Sequence, residues 1–263
     1  MRRIFPAAWP VTAFRRAGTV VFDCDSTLST IEGIEELSHA HRARIERLTN
    51  AAMDGTLPLE SVYGERLALV RPGRRAIEAL GERYVETLVP DARETVAALR
   101  AERIDVRIVS GGLLPAVRTL AAALGIPDNH VAAVNIRFDD RGEFAGYDAA
   151  SPLARSGGKT ELLHQWRERA ARPMMLVGDG ATDLEAKPAV DFLIAFAGVA
   201  ERQAVTAAAD AVIRVLSLAP VVPLALAGEP PLSVAARAVY EKGVALLESA
   251  TRAALRSQRN PRR

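Results

Sequence analysis

Cysteine is almost absent from this 263-residue chain, where Cys24 stands alone. An intramolecular disulfide framework is therefore excluded, and a reducing compartment, the cytoplasm, is the expected setting. Long apolar runs are missing too: 49% of the residues are hydrophobic, yet no uninterrupted stretch reaches membrane-spanning length. The segment from Val215 to Gly228 is short and broken by Pro220 and Pro223, which predicts a crossing over the surface and no membrane partner. Lysine is scarce, with Lys159, Lys187 and Lys242 the only three among 34 basic residues. The four histidines (39, 41, 130 and 164) have no metal-ligand spacing with a cysteine or acid and read as surface or packing residues.

A formal net charge of +2 conceals an asymmetry. Arg2, Arg3, Arg15 and Arg16 crowd one end, and Arg252, Arg256, Arg259, Arg262 and Arg263 crowd the other. Setting those nine aside leaves 25 basic residues against 32 acidic ones, a net of −7 for the body. The basic ends lack interleaved aromatics and any binding motif, so they read as solvated tails, and no nucleic-acid partner is expected. The segment from Ile4 to Phe14 contains Pro6 and Pro10 and lacks a clear small-residue cleavage site, so secretion is not expected.

Apolar runs then mark the strands. Thr19–Phe22, Val106–Val109, Met174–Val177 and Phe192–Phe196 read as buried strands, with a shorter one near Ala211–Ile213. Helical patterns lie between them, over Asp91–Glu102, Pro115–Leu124, Thr160–Ala170 and Glu201–Ala208. This alternation predicts an α/β fold: a Rossmann-like, mainly parallel sheet with helices on both faces. The 82 residues from Leu28 through Val109 far exceed the roughly 30 that a strand–helix–strand crossover needs. Their surplus has helical periodicity, at Ile31/Ile34/Leu37, Ile45/Leu48/Ala52, Leu59/Val62/Leu67 and Ala76/Ile77/Leu80. A small helical-bundle cap inserted over the site is the expectation. The alternation Ala132-Val134-Ile136-Phe138, the turn Asp139–Gly142 and Glu143–Tyr147 predict a β-hairpin flap. The expected domains are residues 1–28 with 91–215 as the catalytic core, 29–90 as the cap and 216–263 as a C-terminal extension. That extension carries one long helix from Ser233 to about Arg256, which either packs on the core or serves a second subunit as a homodimer.

Two acidic motifs close two of those strands. Asp23-Cys24-Asp25-Ser26-Thr27 follows the first, and Gly178-Asp179-Gly180-Ala181-Thr182-Asp183 follows the third. Ligands gather at the carboxyl ends of parallel strands. Four carboxylates converging there would repel one another without a bound cation, and an oxygen-only donor set favours a hard ion such as Mg²⁺. Either motif alone could be a turn or a helix cap; together they favour a metal site. Asp23 is placed to attack phosphorus, and Asp25, on the same side of an extended segment, to protonate a leaving group. Cys24 alternates away from both and reads as a core residue. Ser110-Gly111-Gly112 offers a hydroxyl and closely approaching amides, and Lys159, following Gly157-Gly158 before a helix, a compact positive charge.

In this order, Asp23-x-Asp25-x-Thr27, Ser110, Lys159 and Gly178-Asp179-Gly180-x-x-Asp183 resemble the four motifs of haloacid-dehalogenase-superfamily phosphatases, nearest their phosphoserine phosphatase branch. The likeness runs from about Thr19 to Arg214 and includes Glu32–Leu37, Glu65–Leu69 and Phe144–Asp148. It implies a nucleophile and Mg²⁺ ligand in Asp23 and an acid/base residue in Asp25, which also lends a backbone carbonyl to the metal. It further implies a metal ligand in Asp179, support for the metal site from Asp183, and phosphate or substrate contacts from Ser110, Gly111, Lys159 and Thr182. Glu32 would meet a substrate ammonium and Arg66 its carboxylate. The implied activity is Mg²⁺-dependent hydrolysis of a small phosphomonoester, O-phospho-L-serine first, in the last step of serine biosynthesis. Another small phosphomonoester, transfer to an acceptor alcohol, and a phospho-accepting signalling domain are the alternatives. Leu113 stands where many relatives have Phe, Asp54 where a Gly is common, and Ala197-Gly198 where a Gly-Gly pair is found.

Overall fold

Six parallel strands form the centre of the molecule, in the order β3-β2-β1-β6-β7-β8. They are β1 (Thr19–Phe22), β2 (Asp105–Leu113), β3 (Val131–Val134), β6 (Met174–Gly178), β7 (Phe192–Phe196) and β8 (Ala211–Ile213). The structure is a computed structural model and describes residues 15–38 and 41–259, the side chains of 253–259 excepted. Arg2, Arg3, the segment 4–14, His39, Arg262 and Arg263 lie outside the described residues. β1 pairs on one side with β2, Val20 opposite Val106, and on the other with β6, Val20 opposite Met175. All residues of β1, β6 and β7 are buried, as expected for strands covered on both faces.

The intervening helices are α5 (Ala92–Ala101), α6 (Leu114–Ala123), α7 (Gly158–Arg167), α8 (Ala181–Glu185) and α9 (Gln203–Ala208). Between β1 and α5 the chain makes α1 (Gly33–Glu36), α2 (Arg42–Met53), α3 (Leu59–Val70) and α4 (Arg74–Glu86). Where it leaves and returns, the two connections pair with each other. Thr30 donates its N–H to Thr87, and Val89 donates to Leu28, both at 2.9 Å. α4 lies along α6, so closely that a Cβ at Gly81 would sit 2.7 Å from the Thr119 hydroxyl.

Four sequence readings need correction. The alternation over 132–138 is not one hairpin strand: it divides at Asn135, so that β3 joins β2 in the main sheet while β4 (Ile136–Phe138) pairs antiparallel with β5 (Phe144–Tyr147). Period-two alternation marks a half-buried strand without naming its neighbour. Ser110-Gly111-Gly112 does not follow the second strand but continues it, with a register irregularity between Val109 and Leu113. Lys159 lies inside the first turn of α7 rather than before it, since Gly157 takes the left-handed cap conformation, φ 73°. The stretch after Val215 is not a surface crossing. Leu218 through Ala227 are all buried, Pro220 and Pro223 included, and Val221–Ala225 form α10.

What buries that stretch is the last helix, α11 (Val234–Arg259), which packs on α5 and α10 through Ala236, Val239, Tyr240 and Leu247. Burying side chains of this kind contributes about 1.5–3 kcal/mol each for the larger ones. Tyr240 Oη donates to the Gly228 carbonyl at 3.0 Å, and Lys242 meets Asp91 at 2.6 Å. Of the two expectations for this helix, packing on the core is the one observed. Among the described residues, no helix is long and apolar enough to cross a membrane.

Candidate active site

The site is assembled where β1, β2 and β6 end side by side. The Asp23 N–H donates to the Val177 carbonyl at 2.9 Å, one residue beyond the β1 ladder, so the sheet fixes its backbone. Asp23 is 6% exposed; its Oδ1 accepts the Cys24 N–H at 2.7 Å and its Oδ2 lies 2.9 Å from Lys159 Nζ. Lys159 also meets Asp183 Oδ1 at 2.7 Å, an ammonium held between two buried carboxylates. Burial pushes the Asp23 carboxyl up to about 7 against the pull of Lys159. Burial opposes the charge on Lys159 as well, but Asp183 and Asp23 outweigh it and keep the amine protonated.

Asp183 is fully buried at the start of α8, where its Oδ2 accepts the Gly180 N–H at 3.1 Å. Its carboxyl lies directly against Gly178, where a Cβ would come within 2.2 Å; no other residue type fits at 178. Asp179 accepts the Thr27 hydroxyl on Oδ1 at 3.2 Å. Its Oδ2 is buried without a hydrogen-bond partner, and burial, with Glu32 and Asp23 nearby, holds its carboxyl well above the usual range. Oxygens of Asp23, Asp179 and Asp183 lie within 4.8 Å of one another. An oxygen-only trio with an orphaned carboxylate oxygen fits a divalent cation, and a bound ion would reverse the upward pKa shifts.

Asp25 lines the same cavity as Asp23. Its Oδ1 accepts the Gly33 N–H at 2.9 Å and the Tyr84 hydroxyl at 2.5 Å, while its Oδ2 faces Gly112. Burial and the charge of Glu32 raise this carboxyl to about 7. Glu32 is held by the Ser26 hydroxyl at 2.7 Å. Ser26 itself adopts φ 52°, a left-handed conformation that costs a non-glycine residue about 1–2 kcal/mol. Burial raises the Glu32 carboxyl too, against the Ser26 hydrogen bond.

A cavity of about 30 Å³ joins these groups. Asp23, Asp25, Glu32, Arg66, Gly111, Lys159 and Thr182 line it, as do apolar Ile34, Met53, Leu59 and Leu153. Arg66, on α3, is 4% exposed; its Nη1 donates to Thr49 Oγ1 at 3.1 Å, and its Nε has no partner. The guanidinium lies 5.5 Å from the Tyr63 ring, whose hydroxyl donates to the Gly111 carbonyl at 2.8 Å. Ser110, Asp179 and Asp183 stand behind the cavity wall. Ser110 is fully buried and accepts the Gly112 N–H at 2.9 Å.

Arg202 is the residue that the sequence reading missed. Its side chain is 10% exposed; its Nε lies 3.4 Å from Asp179 Oδ2, Nη1 lies 3.5 Å from Asp54, and Nη2 lies 4.0 Å from Glu32. The rule that led to the ends of β1, β2 and β6 applies equally to β7, and the loop 197–202 after it is where Arg202 sits. Tyr84, Tyr63 and Thr49 carried no motif signal. Taken together, the five carboxyl groups of Asp23, Asp25, Glu32, Asp179 and Asp183 face three cationic side chains, Lys159, Arg66 and Arg202.

Residues 17–191 match the haloacid dehalogenase-like hydrolase family. The chain belongs to the haloacid dehalogenase-like hydrolases. Within that superfamily this hydrolase falls in the phosphoserine phosphatase branch. It is 40% identical over 212 residues to the chloroplastic phosphoserine phosphatase of Arabidopsis thaliana, covering 79% of this chain and 72% of that one. It is 38% identical over 195 residues to the phosphoserine phosphatase of Rattus norvegicus, covering 73% and 87%. In structure the hydrolase is similar to a phosphoserine phosphohydrolase-like protein from Francisella tularensis, with TM-score 0.68 and 27% identity over 74% of this chain and 94% of that one.

Proposed function

We propose that this hydrolase converts O-phospho-L-serine to L-serine and phosphate through an aspartyl-phosphate on Asp23. The observation that carries the reading is the composition of one cavity. A lysine-flanked aspartate and a second carboxyl lie in it together with an ammonium-seeking acid, Glu32, and a buried guanidinium, Arg66, whose Nε has no partner. An unpartnered buried donor is costly, and a bidentate substrate carboxylate would satisfy it. The names of the relatives point to the same compound.

In this reading residues 29–90 act as a cap over a core formed by 1–28 and 91–215, and the lone buried Cys24 suits the cytoplasm. Asp23 and Asp179, with the backbone carbonyl of Asp25 and support from Asp183, would hold Mg²⁺, which supplies positive charge to the phosphoryl group and orients it. Lys159, Thr182 and the Gly111 amide, which line the cavity, would bind the phosphoryl oxygens, and Ser110 would reach them from behind its wall. Asp23 forms a bond to phosphorus as the bond to the serine oxygen breaks, and Asp25 gives that oxygen its proton. Asp25 then takes a proton from water as the water attacks phosphorus and frees Asp23. Lys159 favours the ionised form of Asp23 against the larger effect of burial, and burial with the charge of Glu32 keeps Asp25 able to hold a proton near neutrality.

The test is a panel of phosphomonoesters assayed with and without added divalent ions. Phosphoserine should have the highest kcat/KM. A panel with no preference for the amino-acid head group would overturn the substrate assignment.

A further inference from the structure

Tyr84 is fully buried on α4 and reaches across to Asp25. Its hydroxyl and the Gly33 N–H both donate to the same atom, Asp25 Oδ1. The arrangement is tight enough to fix the residue at 33: a Cβ there would sit 2.0 Å from Tyr84 Oη and 3.4 Å from Asp25 Oδ1. Asp25 Oδ2 is left on the other side, where a Cβ at Gly112 would lie 3.2 Å from it. The two carboxyl oxygens are thus made different. An oxygen that already accepts two donors cannot itself carry the proton without facing one of them. Oδ2, free of donors and turned to the strand that carries Ser110 and Gly111, is the oxygen left to carry it.

We propose that Tyr84 is a positioning residue for proton transfer, acting through Asp25 to place the transferable proton on Oδ2 towards the cavity. The proposal rests on the reading of Asp25 as the acid/base residue. In the first step the bond from phosphorus to the leaving oxygen breaks as the bond to Asp23 forms, and the proton on Oδ2 goes to the leaving oxygen. In the second step water loses a proton to Oδ2 as it attacks phosphorus. Tyr84 touches neither substrate nor phosphorus and keeps its own proton throughout; burial and the neighbouring Asp25 hold its hydroxyl well above the usual tyrosine range. Its contribution is orientation.

The experiment is a series of substituted phenyl phosphates whose leaving phenols span a range of acidity. kcat/KM is measured for wild type, Tyr84→Phe, Asp25→Asn and Tyr63→Phe. kcat/KM reports the steps through departure of the phenol, where proton donation matters most for the poorest leaving groups. Tyr84→Phe should lose about tenfold or more on the poorest leaving group and about threefold or less on p-nitrophenyl phosphate, steepening the dependence in the manner of Asp25→Asn. Tyr63→Phe, whose lost hydroxyl served the Gly111 carbonyl, should lower the whole series evenly. If Asp25→Asn steepens the dependence and Tyr84→Phe does not, Tyr84 only fills space and the proposal is overturned. If neither steepens it, the assignment of Asp25 fails first, a distinct result that removes the proposal with it. Proton NMR of the wild-type protein guards against a misfolded variant. The Tyr84 hydroxyl should resonate far downfield and move upfield in Asp25→Asn, and absence of that resonance also overturns the proposal.

Discussion

The two ends of the cavity are built on opposite principles. At the strand ends, Lys159 sits between Asp23 and Asp183 at 2.9 and 2.7 Å, and Asp183 also caps α8. The polar atoms of Asp23, Lys159 and Asp183 all have partners before any ligand arrives, and beside them the Asp179 Oδ2, without a hydrogen bond, is left for a cation. At the helical end, Arg66 Nε has none, and its guanidinium is steadied by Thr49 and the Tyr63 ring. A paired network resists reorganisation and suits a group that must be aimed at a transition state. A buried donor held without an acceptor suits recognition, because the right ligand removes a penalty that the wrong one leaves in place. Chemistry and choice of substrate should therefore separate under mutation.

The hardest blow should fall at the paired end. Asp23→Asn should abolish turnover of every phosphomonoester while the circular dichroism spectrum stays native. Activity within about tenfold of wild type, a loss under ~1.4 kcal/mol, would break the assignment. Removing divalent ions with a chelator comes next, since the acid trio is then left without the cation that its oxygens suit. Hydrolysis should stop and return with Mg²⁺, while Ca²⁺, which takes more ligands, should inhibit. Full turnover in excess chelator would sink the metal reading.

At the helical end the effect should be selective. Arg66→Ala should cost about 2–4 kcal/mol in kcat/KM for phosphoserine. p-Nitrophenyl phosphate, which has no carboxylate, should lose far less. Equal losses on both compounds would erase the distinction between the two ends. The smallest effect is expected at Arg202, whose Nε stands 3.4 Å from the orphaned oxygen of Asp179. It competes with a cation for that oxygen, so Arg202→Met should tighten divalent binding several-fold, about 1 kcal/mol, by calorimetry on the substrate-free protein. Weaker binding would show that Arg202 instead organises the site.

The same contrast runs through what the sequence disclosed. The strand-end groups were legible because each follows a run of buried apolar residues, so Asp23, Ser110 and Asp179 inherit their position from β1, β2 and β6. Glu32 and Arg66 were recognisable only through a family likeness, since a charged residue on an amphipathic helix is ordinarily solvated. Tyr84 was beyond either route. It lies 59 residues from Asp25 in the chain, and the pairing of Thr30 with Thr87 and of Leu28 with Val89, together with the packing of α4 on α6, brings its hydroxyl to that carboxyl. The buried path of 218–227 was misread for a related reason: short apolar runs broken by prolines look like loops until α11 is seen to cover them. Local pattern names the elements; tertiary neighbours decide which of them are buried.

The cavity's size carries one more consequence. Its roughly 30 Å³ has room for a water or two, whereas about 150 Å³ is needed even for benzene. Met53, on α2, leans over the strand-end loop, its sulfur 2.9 Å from where a Cβ at Gly180 would be. An amino-acid phosphate needs more room than this cavity offers. If residues 29–90 act as the proposed cap, movement of α2 with its Met53 is expected to admit the ester and to release the products. On that reading kcat should fall as solvent viscosity rises, and a kcat indifferent to viscosity would show that such movement does not limit turnover.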